Sequence, residues 1–115
     1  MLARAHRFHG YNALRAIYQR GQTARAGQLN LKYSQREGAQ PTRVAVVVSR
    51  KVSKSAVVRN RIRRRIYEGV RRSPQYAPTG CNLVLTAYHE QLATLPAPEL
   101  QRLIDDVLAK VTVSM

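Results

Sequence analysis

The sequence predicts an α+β domain, and three patterns lead to that prediction. Leu29, Leu31 and Tyr33 alternate with polar residues, which is the spacing of a half-buried strand. The run 44–48 is apolar throughout, as in a strand that is covered on both faces. Two later segments repeat their apolar residues every three or four positions, as amphipathic helices do.

The first elements follow from caps and alternation. A short helix is predicted over 12–20, because Asn12 is a favourable N-cap and Gly21 a common helix stop. Its apolar side chains are Leu14, Ile17 and Tyr18. A weak strand pattern at 23–26 precedes the alternating strand at 29–33. After a turn that contains Gly and Pro, the apolar run 44–48 is predicted to be a central strand of the sheet.

The second helix is the most basic element of the chain. Either Ser53 or Ser55 is suited to cap it. Its apolar stripe is Val58, Ile62, Ile66 and Gly69. The far face is predicted to carry Asn60, Arg61, Arg64, Tyr67 and Arg71, with Arg59, Arg63 and Arg65 on the flanks. Its one acid, Glu68, lies four residues from both Arg64 and Arg72, which is ion-pair spacing.

A loop over 73–80 leads to a strand at 83–88 and then to a last helix. Pro98 is predicted to begin this helix, and Glu99 suits its first turn. The apolar stripe of the helix is Leu100, Leu103, Ile104, Val107, Leu108 and Val111. Acidic residues outnumber basic ones from Glu90 onward, so we expect this helix to pack rather than to bind a polyanion.

The charge distribution points to nucleic acid. The net charge is +14, and eleven of the twenty Lys and Arg residues lie between Arg43 and Arg72. Arginine dominates, and its planar guanidinium matches phosphate oxygens. Because the charges barely alternate in sign, a polyanion partner is favoured over a merely solvated face. A membrane surface is disfavoured, because the apolar face of the helix has no Trp or Phe and is needed as core.

No converging catalytic set is found in the sequence. The scattered His residues and the single Cys81 do not form a zinc site, and the neighbouring Asp105 and Asp106 point apart on a helix. The lone cysteine favours a reducing compartment, so a cytoplasmic location is expected. Organelle import is disfavoured, because the acid-free N-terminal segment carries ordinary helix and strand patterns. One domain, 1–115, is expected, with 1–10 as a tail.

The block 43–64 resembles the protein subunit of bacterial ribonuclease P. It reads Arg-Val-Ala-Val-Val-Val-Ser-Arg-Lys-Val-Ser-Lys-Ser-Ala-Val-Val-Arg-Asn-Arg-Ile-Arg-Arg. The family pattern is an apolar strand, a basic pair, a short turn ending in Ala-Val, and then Arg-Asn-Arg-x-Lys-Arg. The departures from the family's usual residues lie at Leu14, Ala45, Ser53, Arg63, Tyr67 and Val70.

The resemblance implies an α/β sandwich in the order helix, three strands, helix, strand, helix. It also implies a left-handed crossover through the Arg-rich helix, although about 98% of such connections are right-handed. By the same resemblance, the protein binds a large catalytic RNA and assists removal of the 5′ leader from precursor tRNA. The RNA and its Mg²⁺ ions would make the cut, and no protein partner or protein metal ligand is indicated.

Two sets of site residues are implied by the resemblance. The residues expected to contact the catalytic RNA are Arg50, Lys51, Lys54, Arg59, Asn60, Arg61, Arg63, Arg64 and Arg65. A leader cleft between the first helix and the sheet would contain Leu14, Tyr18, Lys32 and Tyr33. A one-residue gap decides whether Lys32 or Tyr33 takes the family's strand position. The alternative function is that of a ribosomal or other structural RNA-binding protein, which would share the charge but has no need of this motif.

Overall fold

The computed structural model describes residues 22–35, 42–76 and 81–114. In chain order these form β1 (Gln22–Ala26), β2 (Leu29–Gln35), β3 (Arg43–Val47), α1 (Ala56–Arg72), β4 (Cys81–Ala87), a 3-10 helix (Glu90–Ala93) and α2 (Ala97–Ser114). The α+β class and each predicted strand are confirmed, including the weak one at 23–26. The predicted helix 12–20 and most of the turn before Thr42 lie outside the described residues.

The four strands form one sheet in the order β1-β2-β4-β3. The pairs β1–β2 and β2–β4 are antiparallel, whereas β3 and β4 are parallel. The prediction that 44–48 is a central strand is therefore wrong: in the described sheet β3 pairs with β4 alone and lies at the edge. Val44, Ala45 and Val46 are nonetheless all buried. A strand with apolar side chains on both faces is covered by other parts of the protein above and below the sheet. The pattern does not show whether the strand has a hydrogen-bonded strand on each side.

The connection from β3 to β4 passes through α1. Ser55 is the N-cap, since its hydroxyl accepts a hydrogen bond from the Val58 amide at 3.3 Å. Ser53 instead accepts from the amide of Ser55 at 3.2 Å and shapes the turn before the helix. The two strands joined in this way are neighbours, and the left-handed sense implied for this crossover stays a prediction.

Both helices pack on one face of the sheet. The buried residues of this core include Leu29, Leu31, Val44, Val46, Ile62, Ile66, Val70, Leu83, Leu85, Leu100, Ile104, Val107 and Leu108. The two predicted helical stripes are therefore confirmed wherever their side chains are described. The helices approach closely at Gly69, where an added Cβ would lie 2.2 Å from Ile104 Cδ1. The side-chain amide of Gln101 donates to the Gly69 carbonyl there at 2.8 Å.

The last two elements begin slightly earlier than predicted. β4 begins at Cys81, and Tyr88 lies just beyond its end. α2 begins at Ala97, because the Pro96 carbonyl accepts from the amides of Glu99 and Leu100 at 3.0 Å each. Glu99 lies in the first turn as predicted, where a carboxylate is favourable.

Candidate nucleic-acid interface

The exposed cations of the basic block occupy the β3–α1 turn and the outer side of α1. Arg50, Lys51 and Lys54 lie in the turn, and all three are exposed. Arg61 and Arg64 are exposed on α1, away from the buried Ile62 and Ile66 stripe. We call these five residues the exposed cation set. A folded turn and a capped helix fix the backbone positions from which these cations project into solvent.

The three flanking arginines are partly buried and contact the protein's own backbone. Arg59 Nη1 donates to the Ser53 carbonyl at 2.9 Å, which ties the turn to the helix. Arg63 donates to Asn60 Oδ1 at 2.6 Å and, at 3.5 Å, reaches the Val48 carbonyl at the end of β3. These contacts fix α1 relative to the strand that precedes it.

Arg65 has the strongest structural role of the three. It donates to the Leu92 carbonyl at 2.6 Å and also to the Leu95 carbonyl. Burial, and to a lesser extent the charge of Arg61, lower the pKa of its guanidinium. The resemblance placed Arg65 among the RNA contacts, whereas the structure places its guanidinium on backbone carbonyls. We therefore assign Arg65 to holding α1 against the segment that follows the 3-10 helix.

Tyr67 does not lie on the far face of α1 as predicted. Its side chain packs against the core, and its hydroxyl accepts a hydrogen bond from the Val46 amide at 3.3 Å. Val46 lies on the edge strand β3, where an amide that points away from β4 needs another acceptor. A helical wheel places a residue only relative to its own axis, so it could not show that β3 passes beside this flank.

Glu68 forms ion pairs with two arginines in the last turn of α1. Arg71 approaches one carboxylate oxygen at 2.8 Å and Arg72 approaches the same oxygen at 3.9 Å. The predicted pair with Arg72 is present, and the three-residue neighbour Arg71 makes the shorter contact. The hydrogen bond from Arg71 is the main reason that the pKa of this carboxyl lies well below its ordinary value.

The register of the sheet separates the two candidates for the strand position in the leader cleft. Tyr33 is 5% exposed and belongs to the core beneath the helices. Its neighbour Lys32 is half-buried on the opposite face, in register with Val84 and Ala45. We call this opposite side the second face. Tyr33 is therefore a core residue, and Lys32 is the candidate for the strand position that lies on the second face.

A polar row on the second face was missed by sequence reasoning. Asn82 is in register with Ser34 on one side and with Arg43 on the other. Its amide donates to Ser34 Oγ at 3.3 Å, and it accepts from Arg43 Nε at 3.4 Å. The available signal was the alternation along β4, but without the strand order it could not show which residues become neighbours.

A reactive thiol, a metal site and a membrane-spanning helix are three further features to consider in the described segments. Cys81 is 3% exposed, and burial raises the pKa of its thiol, so it is a poor nucleophile. Within 22–35, 42–76 and 81–114, no three His, Cys, Asp or Glu residues come together in a way that could hold a metal ion. Over the same residues, no helix is long and apolar enough to cross a membrane.

Comparison with known proteins decides the family. A model of the family Ribonuclease P matches residues 2–112. The chain belongs to this family. The ribonuclease P protein component of Synechococcus sp. is 36% identical to it over 114 residues, which cover 96% of this chain and 84% of that protein. That of Brevibacillus brevis is 38% identical over 84 residues, 73% of this chain and 66% of the relative.

A solved structure supports the fold independently. The RNase P protein of Staphylococcus aureus matches with a TM-score of 0.80 at 21% identity, over 96% of this chain and 98% of that one. Members of the family are the protein component of the ribonuclease P ribonucleoprotein, so this chain acts in tRNA processing together with a partner RNA. This membership decides against a ribosomal or purely structural RNA-binding protein.

Proposed function

We propose that the protein binds the catalytic RNA of ribonuclease P through the exposed cation set and helps to hold the 5′ leader of precursor tRNA. One observation carries this proposal: the basic block divides into two groups. Arg59, Arg63 and Arg65 contact backbone carbonyls, whereas Arg61 and Arg64 point outward. A rigidly mounted row of guanidinium groups suits the phosphates of a folded RNA.

The cleavage chemistry is assigned to the RNA and its Mg²⁺ ions. Mg²⁺ is bound in proteins by carboxylates together with substrate phosphates. Among the described residues, however, Glu68 is paired with arginines and Asp105 accepts from the Gln101 amide at 3.0 Å. We assign the protein the role of lowering phosphate repulsion through the exposed cation set. Since the relatives are bacterial, the proposed location is the bacterial cytoplasm.

The leader is assigned to the second face of the sheet. Lys32 lies there beside the hydrogen-bonded row of Ser34, Asn82 and Arg43, which provides polar groups for a sugar-phosphate chain. Leu14 and Tyr18, which complete the cleft implied by the resemblance, lie outside the described residues. An aromatic ring stacks on a base better than an aliphatic side chain does, so Tyr18 is assigned the base contact.

Reconstitution tests the proposal. The full-length protein is combined with a bacterial ribonuclease P RNA, and cleavage of precursor tRNA is followed while Mg²⁺ is lowered. We expect the protein to reduce the Mg²⁺ concentration that cleavage requires and to show no cleavage without the RNA. An unchanged Mg²⁺ requirement, or specific cleavage by the purified protein alone, would contradict the proposal.

A further inference from the structure

A cleft of about 450 Å³ lies between α1 and α2, and Gly69, where the two helices approach closely, forms part of its lining. Arg61, Arg64 and Arg72 form part of its α1 wall, and Ala97, Leu100 and Gln101 form part of its α2 wall. The volume is within the range of about 300–1,000 Å³ that is typical of small-ligand sites. Two residues of the exposed cation set therefore border a recess as well as the outer surface.

The two walls differ in chemistry. The α1 wall offers guanidinium groups, and its one acid, Glu68, is engaged by Arg71 and Arg72. The α2 wall offers apolar groups and a side-chain amide whose nitrogen is already bonded to the Gly69 carbonyl. A suitable occupant has an anionic group for the α1 wall and a body with apolar faces for the α2 wall. A nucleotide combines both.

We propose that this interhelix cleft takes one unpaired nucleotide of the partner RNA, with its phosphate on Arg61 and Arg64 and its base between the helices. Bases within a duplex are stacked and cannot enter a recess, whereas an unpaired base can leave the stack and lie on an arginine plane. The inference rests on the proposed function for the identity of the partner and adds a base-binding site to a surface otherwise assigned to phosphates.

The cleft is held open by contacts that do not need a ligand. Gly69 brings the helices together at one end, and the hydrogen bond from Gln101 fixes that approach. On the same side of α1, Arg65 is anchored to the Leu92 and Leu95 carbonyls. A site that is already shaped loses less conformational entropy when it binds.

The test enlarges one exposed residue of the cleft. Ala97→Leu narrows the recess without removing a cation, and Ala97→Ser at the same position leaves its width nearly unchanged. Affinities are measured with the full-length protein and a short single-stranded RNA that carries 2-aminopurine, and with the same RNA made abasic at that position. We expect Ala97→Leu to weaken binding of the 2-aminopurine RNA about tenfold and to leave binding of the abasic RNA unchanged. The Ala97→Ser protein should bind both RNAs as the unmodified protein does.

Two results would overturn the inference. They are an unchanged affinity of Ala97→Leu for the 2-aminopurine RNA, and equal losses of affinity for the 2-aminopurine and abasic RNAs. If a thermal melt shows that Ala97→Leu is unfolded, methyl NMR of the unmodified protein decides instead. The Leu100 and Ile104 signals should then shift with the 2-aminopurine RNA and not with the abasic one, and no difference would refute the site.

Failure here is distinguishable from failure of the proposed function. Loss of RNA affinity in an Arg61→Ala, Arg64→Ala double variant, together with a lowered Mg²⁺ requirement in reconstitution, would support the phosphate-binding surface even if the cleft takes no base. An unchanged Mg²⁺ requirement would count against the proposed function whatever the cleft binds.

Discussion

Lys32 and Tyr33 show how one step along a strand decides the environment of a residue. Successive side chains of β2 point to opposite faces, so the pair is divided between the second face and the core. The resemblance left both as candidates for one position, because a gap of one residue exchanges them. The register of β2 with β4 shows that Lys32 lies on the second face and that Tyr33 lies in the core, so Tyr33 is a structural residue.

Tyr33→Ala should destabilise the protein by about 3–5 kcal/mol, since it removes a large ring from a closely packed core. Tyr33→Phe keeps the ring and should cost less than about 1.5 kcal/mol. Urea denaturation measures both variants, and RNA binding is compared under conditions where each is folded. A Tyr33→Ala protein of normal stability with weakened leader binding would return Tyr33 to the leader site.

Arg64 and Arg65 are sequence neighbours with opposite roles. Arg65→Ala should destabilise the protein by about 1–2 kcal/mol, because the Leu92 and Leu95 carbonyls lose a charged donor. Arg64→Ala, which removes an exposed guanidinium, should change the stability by less than about 0.5 kcal/mol. Thermal melts of the two variants provide a matched comparison, and equal losses would show that the Arg65 contacts do not stabilise the fold.

At the scale of elements, the contact between α1 and α2 depends on a missing side chain. Gly69 is buried in α1, and a Cβ added to it would lie 2.2 Å from Ile104 Cδ1. Within an ordinary helix, replacing Gly by Ala is favourable by about 1 kcal/mol. At this position the new methyl group would meet Ile104 Cδ1, and the cost of overpacking a core is about 1–3 kcal/mol.

A double-mutant cycle separates these two effects. Gly69→Ala alone should destabilise the protein by about 1 kcal/mol, as the clash exceeds the gain in helix propensity. Ile104→Val removes Cδ1, so in that background Gly69→Ala should become neutral or stabilising. Chemical denaturation of the four proteins measures the coupling. The same effect of Gly69→Ala in both backgrounds would show that Ile104 does not limit the approach of the helices.

On the scale of the whole molecule, the charge is divided between regions. The β3–α1 turn and α1 contribute most of the net charge of +14, whereas α2 carries three acids against two basic residues. Such an asymmetric field attracts a polyanion to one side and speeds its encounter. The strength of binding should therefore depend on ionic strength through the exposed cations in particular.

Replacing both Arg61 and Arg64 with Ala should reduce the slope of log affinity against log salt. The expected reduction is about 0.7 for each lost phosphate contact on single strands and about 0.9 for each on a duplex. Titrations with the ribonuclease P RNA at several salt concentrations measure the slope, and Arg102→Ala on α2 removes an exposed charge outside the basic block as a control. A folded double variant with an unchanged slope would refute the assignment of this surface to phosphate.

Over the described residues, the sequence by itself determined the four strands, the two long helices, their order along the chain and the basic character of α1. The alternation at 29–33 and the apolar stripe from Val58 to Gly69 are local patterns. They indicate which face of a strand or helix is buried. The cap preference narrowed the start of α1 to Ser53 or Ser55. The ordered block 43–64 was enough to indicate the family.

Only the tertiary structure decided which elements are neighbours and which cations are exposed to a partner RNA. It inserts β4 between β2 and β3, which makes β3 an edge strand. It brings Tyr67 to the amide of Val46, 21 residues away, and Arg65 to the carbonyl of Leu92, 27 residues away. The physical reason is that periodicity is set by residues within two turns or a few strand positions, whereas these partners are chosen by how distant segments pack around one core.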